Sequence, residues 1–314
     1  MTFTQGAEKV FAVCMQAAGT EHVLIVTDTE KLAIGRQLFE AACGLGLNAV
    51  MQVMKPTGRH GSEPPQIVAD CMRAADVVVC PTAYSLTHTQ ARRIACEHGA
   101  RIATMPGVTE EMFVEGAIGA DYVEIARLSD KMADRLTNAD DVTIRYRDSE
   151  LRFSISGRTG VSSRGLYHEP GTSGNLPTGE AYIAPLEGTA NGVVVFDGSA
   201  AGIGRLTGPL RVEVQDGRAV DFQGPDAPAL LEALGDNPEA YNIAELGIGT
   251  NPQARLSGSL LEDEKVFGTG HMAFGSNKTF GGSVDAGVHI DCVMLEPEIV
   301  LDGEVVLSGG KLLV

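Results

Sequence analysis

A chain of 314 residues with 44% hydrophobic and 21% charged side chains has enough apolar matter for two ordinary globular domains. Its formal net charge of −17 argues against a surface built to neutralise phosphates or to dock on anionic lipid, because both need clustered Lys and Arg. Neither nucleic acid nor a membrane is therefore expected as a partner. The stretch "MTFTQGAEKVFAVCMQAAGT" has no basic leader and no apolar run long enough for a signal core or a membrane span, so a soluble cytoplasmic protein is expected.

In chain order, "HVLIVTD", "EKLAIGRQLFEAACGLG", "NAVMQVMK", "PPQIVADCMRAA", "DVVVCPT", "HTQARRIACEHG" and "ARIATMPG" alternate short apolar runs with amphipathic segments, and a long helical tail follows from Thr109. That alternation predicts an α/β domain over residues 1–140, a parallel sheet covered by helices. After "NADDV" the pattern changes to the hairpin-like "TIRYRDSELRFSISGR" and then to many short strands broken by Gly, Asn, Asp and Pro. Residues 141–314 are therefore expected to form a β-rich α+β domain. Its one convincing helix lies in "DAPALLEALGDNPEAYNIAELG", begun by Asp226 or Pro228 and stopped near Gly235, with a second turn around Pro238 to Ala244. "GSAAGIGRLTG" lacks the G-x-G-x-x-G spacing and predicts a β-turn or bulge; no serine-hydrolase elbow or P-loop occurs. Cys14, Cys43, Cys71, Cys80, Cys96 and Cys292 form no C-x-x-C pair and predict reduced thiols.

"GVHIDCVML" places His289 and Asp291 two residues apart in an apolar run, on one side of a strand. Desolvating both requires mutual hydrogen bonding, as in a core histidine with an aspartate cap, or a metal ion. His271 in "EKVFGTGHMAFG", Glu245 in "NIAELGIGTNP" and Glu180 in "NLPTGEAYIAP" each adjoin Gly or Pro, at the heads of turns. Singly, each reads as a solvated turn carboxylate or a core histidine. Together they offer two imidazoles and three carboxylates, a set that suits one or two hard or borderline divalent ions with open positions and excludes a structural zinc knuckle.

"NLPTGEAYIAP", "EGTANG", "AELGIGTNP", "DEKVFGTGHMAFG" and "HID", in this order over roughly residues 170–295, resemble the C-terminal half of the aminopeptidase T-type metallopeptidases. The resemblance implies that Glu180, Glu245, His271, His289 and Asp291 bind a pair of divalent ions (zinc, cobalt or manganese) and that the protein is a homodimer. It departs at Lys278, which stands where that family has a metal-site tyrosine, and in its shorter N-terminal half. The expected activity is a metal-dependent hydrolase cleaving a small amide or short peptide through metal-activated water. Glu180 or Glu245 would be the proton shuttle, with His88 and Lys278 on the substrate side.

"PTAYSLTHTQARRI" is similar to a segment of the 2,5-dihydroxypyridine dioxygenases, distant relatives of the same fold. That resemblance implies an acid/base role for His88, expected to begin a helix behind the caps Ser85 and Thr87. Those enzymes carry a histidine where this chain has Glu245, and lack a metal-binding one at His271. Even so, His271, His289 and Asp291 alone make a two-His, one-carboxylate set compatible with iron(II). A mononuclear iron(II) ring-cleaving dioxygenase is thus the alternative, and a non-catalytic scaffold of the same fold a lesser one.

Overall fold

The apolar run His22–Asp28 forms a strand, β1, buried at every residue but the first. Such a run needs cover on both faces, as a parallel sheet between helices provides. In this computed structural model, which describes residues 1–313, the chain begins with α1 (Phe3–Lys9), continued by a π-helical turn at Val10–Cys14 before β1. There follow α2 (Leu32–Gly44), β2 (Asn48–Met54), α3 (Gln66–Ala74), β3 (Val77–Thr82), α4 (Gln90–Glu97), β4 (Arg101–Pro106), α5 (Glu110–Val114) and α6 (Tyr122–Thr137). The expected helical tail from Thr109 is thus broken: Gly116, a poor helix former, precedes a 3-10 turn between α5 and α6 that ends in another, Gly119.

After α6 come β5 (Asp141–Tyr146), β6 (Ser149–Ser154), β7 (Val161–Ser163) and β8 (Ser173–Asn175). β5 and β6 pair antiparallel, as their alternating sequence predicts. β8 returns to the first sheet, which runs parallel in the order β2-β1-β3-β4-β8. Two compact units result, Met1–Val123 with Gly165–Thr178, and Glu124–Arg164 with the chain from Gly179 onward. The change of pattern near residue 140 marks the passage from α6 into antiparallel strands, whereas compaction divides the chain three times.

His88 does not begin α4. It lies exposed in the preceding turn, and Thr89 is the N-cap, accepting from Arg92 N at 3.2 Å and donating to Leu86 O at 2.8 Å. Ser85 and Thr87, the expected caps, instead bond each other, and Thr87 Oγ1 reaches Thr104 and Asn175. Thr89→Ala is expected to cost about 1–2 kcal/mol of stability, the upper part of the range for a lost cap. A urea melt checks it, and an unchanged midpoint would count against this capping arrangement.

The second unit continues with β9 (Glu180–Ile183), β10 (Asn191–Phe196), β11 (Ser199–Ala200), β12 (Gly204–Arg205), β13 (Leu210–Gln215), β14 (Arg218–Gln223) and α7 (Ala227–Leu234). Next are β15 (Ile243–Gly249), α8 (Leu260–Asp263), β16 (Gly270–Gly275), β17 (His289–Met294), β18 (Glu298–Leu301), β19 (Glu304–Ser308) and β20 (Lys311–Leu312). As expected, α7 ends at Gly235, whose φ of 68° is the left-handed stop that glycine takes readily. "GSAAGIGRLTG" forms the short β11–β12 hairpin. An eight-stranded sheet, β14-β13-β10-β6-β5-β18-β19-β20, and a seven-stranded one, β12-β11-β17-β16-β15-β9-β7, both antiparallel, enclose a common core. Val142, Leu151 and Val212 of the first meet Ile183, Leu246, Met272 and Cys292 of the second, and Phe196 packs edge-on to Phe274 at 6.0 Å. No helix among the described residues is long and apolar enough to cross a membrane.

Candidate metal centre

The seven-stranded sheet turns one face to this core, so alternate residues of its central strands must turn the other way. Ala181, Leu246, Ile248, Phe274, Ile290 and Cys292 belong to the core. Their neighbours Glu180 on β9, Glu245 on β15, His271 on β16, and His289 and Asp291 on β17 therefore share the opposite face. All five stand on strands, not at the heads of turns, and the register aligns Glu245 with Ala273 and Asp291 across three strands. Small residues at Gly247, Gly249 and Ala273 leave room on this face. A Cβ at Gly247, opposite His271, would come within 2.0 Å of His271 Nε2.

Glu245, His271 and Asp291 form a compact buried group whose ligand atoms all lie within 4.8 Å of one another. His271 Nε2 stands 3.4 Å from both Glu245 Oε1 and Glu180 Oε2, and His289 Nε2 stands 3.3 Å from Asp291 Oδ1 and 3.5 Å from Glu245 Oε2. His289 Nδ1 lies 2.7 Å from the Ser276 carbonyl. Donation there places the Nε2 lone pair toward the carboxylates, as a metal-binding imidazole requires. Glu180 Oε2 and His271 Nδ1 are buried with no hydrogen-bond partner, an expensive condition for polar atoms unless something else satisfies the site. Orphaned oxygen, aligned imidazoles and surplus carboxylates all fit a divalent cation.

Burial works against every charge here, and the neighbours decide the outcome. His271 is desolvated, yet its bond to Glu245 and the charges of Glu180, Glu264 and Asp291 raise its pKa to about 9. For His289, burial is likewise outweighed by Asp291, which lifts the pKa to about 10, although 30% of that side chain is exposed and solvent screens part of the effect. Asp291, opposed by burial but held by His289, falls to about 2. Burial raises Glu245.

Lys265, just beyond α8, carries no signal in the sequence that sets it apart. Its side chain is 1% exposed, with Nζ 2.6 Å from Glu180 Oε1 and in contact with Glu264 Oε1. Tyr182 and Phe280 were also missed. Their rings meet edge-on at 5.4 Å, and Phe280 meets His289 at 5.8 Å.

The family model described as NicX, 2,5-dihydroxypyridine 5,6-dioxygenase, matches residues 2–314. The chain belongs to the 2,5-dihydroxypyridine 5,6-dioxygenase family. It is thus an enzyme of a dioxygenase family, and a divalent metal is implied. Among solved structures it is similar to the 2,5-dihydroxypyridine dioxygenase from Pseudomonas putida KT2440, with a TM-score of 0.83 and 19% identity over 99% of this chain and 97% of that one. It is also similar to wild-type AmpT from Thermus thermophilus, with a TM-score of 0.72 and 16% identity over 99% of each chain. At these identities both likenesses establish the fold alone. A search of curated protein sequences gives no significant match.

Membership in the dioxygenase family corrects the expected order of preference, in which hydrolysis came first. The motifs behind that preference are rich in glycines set by close approach: a Cβ at Gly249 would meet Val266 O at 2.0 Å, and one at Gly247 would meet the His271 ring.

The remaining expected residues lie elsewhere. Lys278 is at the surface, its side chain 64% exposed and paired with Asp285 at 3.3 Å, so it does not join the group on the sheet face. His88 belongs to the first unit, where Arg92 of the following helix bonds the Thr87 carbonyl and Ser173. Asn277, first residue of a sequon, is buried and bonds Glu187 and Val284, ordering the loop that carries Phe280. Cys14, Cys80 and Cys292 are buried, Cys43 is exposed, and all six thiols are free.

Proposed function

We propose that the protein is an iron(II)-dependent dioxygenase that opens a dihydroxylated pyridine or a closely related aromatic ring. One observation carries this reading: a buried imidazole, His271, and a partly exposed one, His289, set among the buried carboxylates Glu245 and Asp291, in a chain matched to the dioxygenase family across residues 2–314. Glu245, His271, His289 and Asp291 would hold the ion, with Glu180 Oε2 beside them. Iron(II) in such a set supplies the one-electron chemistry that molecular oxygen needs to react with a closed-shell ring. The chain's own part is orientation and exclusion of water: the Ser276 carbonyl fixes the His289 ring, the strands fix the other donors, and Tyr182 and Phe280 set an apolar aromatic border beside His289.

Both oxygen atoms enter the product in such a reaction, so no external reductant is consumed. The expected result is one molecule of O2 taken up per ring opened when the iron(II)-loaded protein meets 2,5-dihydroxypyridine, with loss of the ring's absorbance. For His88 we propose the acid/base role that the family resemblance implies. His88→Ala should then lower kcat by about 100-fold or more at unchanged iron content, the usual scale for a general acid or base.

The surplus of carboxylates, Glu180 and Glu245 beyond a two-His, one-carboxylate set, favours a second reading, a metallohydrolase for small amides or short peptides. Cleavage of a peptide anilide by the zinc, cobalt or manganese form, together with indifference to oxygen, would replace the dioxygenase by this reading.

A further inference from the structure

Glu180 is placed unlike the other carboxylates of the centre. One oxygen, Oε1, accepts from Lys265 Nζ at 2.6 Å, while the other, Oε2, is buried without a hydrogen-bond partner and stands 3.4 Å from His271 Nε2. The side chain is thereby pinned at one oxygen and left open at the other. Lys265 is itself held: its backbone N–H bonds the Glu262 carbonyl, its carbonyl accepts from Asn251 N at 2.9 Å, and Glu264 supplies a second carboxylate to the ammonium. A fully buried ammonium is costly unless fully paired, and here the pairing extends straight to a donor of the candidate centre.

We infer that Lys265 is a positioning residue: by occupying Glu180 Oε1 it aims Oε2 at the ion as a one-oxygen ligand. The inference rests on the reading that the face carrying Glu245, His271, His289 and Asp291 binds a divalent metal, and it adds a residue outside that set. Lys265 touches neither ion nor substrate; it acts through Glu180. Loss of an outer partner of this kind typically weakens metal binding by roughly 10- to 100-fold.

The test is a double-mutant cycle read by metal affinity, with Mn(II) alone as the probe and the free ion measured by electron paramagnetic resonance. Lys265→Gln and Glu180→Gln are each expected to weaken Mn(II) binding at least tenfold, and the double variant no more than Glu180→Gln alone, because the lysine has nothing left to aim. A lysine that merely supported the fold would weaken binding independently, and the two losses would multiply. Multiplying losses, or an unchanged affinity in folded Lys265→Gln, overturns the inference while leaving the metal site in place. A wild-type chain that takes up no Mn(II) overturns both. If Lys265→Gln does not fold, Lys265→Arg and Glu180→Gln decide: the arginine, keeping the charge, should bind more tightly than Glu180→Gln. Equal or weaker binding by the arginine variant, or unchanged affinity in Glu180→Gln, overturns the inference.

Discussion

His271→Ala is expected to yield a folded chain that no longer holds its metal. His271 is the central donor of the group: its Nε2 lies 3.4 Å from two carboxylates, and its side chain is fully buried. Removing a direct ligand should exceed the roughly 10- to 100-fold loss that follows removal of an outer partner. Ring opening should fall with it below detection. The fold should survive because the apolar face of the same strands is untouched, with Met272 and Phe274 still in the core. Elemental analysis after iron loading, beside a circular dichroism spectrum, checks this. A variant that keeps wild-type iron would remove His271 from the centre.

Gly247→Ala should do similar harm without touching a ligand. The added methyl would start 2.0 Å from His271 Nε2, on a strand hydrogen-bonded on both sides, so imidazole or backbone must move. Overpacking of this kind costs about 1–3 kcal/mol, and here it also drives the ring off its carboxylates. In the His271→Ala background the space is vacant, and the same methyl should cost almost nothing. Urea melts of the metal-free single and double variants measure that coupling. Additive effects would show that the glycine serves some purpose other than admitting the ring.

Part of this face was legible because strand geometry is simple. Apolar Ile290 and Cys292 beside His289 and Asp291 announce a two-sided strand, whereas Glu180, Glu245 and His271 read as turn residues and joined that pair only through the resemblance to the aminopeptidase T-type enzymes. Alternation likewise revealed the β5–β6 hairpin, and a glycine the stop at Gly235. What escaped depended on distant partners. Lys265 is set apart by nothing local until Glu180, 85 residues away, is brought to it. Thr87 and Thr89 are equivalent as caps in "THT", and only the contacts of Thr87 with Thr104 and Asn175 free Thr89 for the helix. Nor does any local signal say that "TSGN", 67 residues after β4, rejoins the first sheet.

That return of β8 bears on how the chain is made. The first unit lacks its edge strand until Asn175 has been synthesised, and by then β5, β6 and β7 have already been made. The N-terminal unit therefore cannot complete itself early and wait for the rest, as ordinary leading domains do. A fragment ending near residue 140 would present the bare backbone of β4 where β8 should pair, inviting self-association.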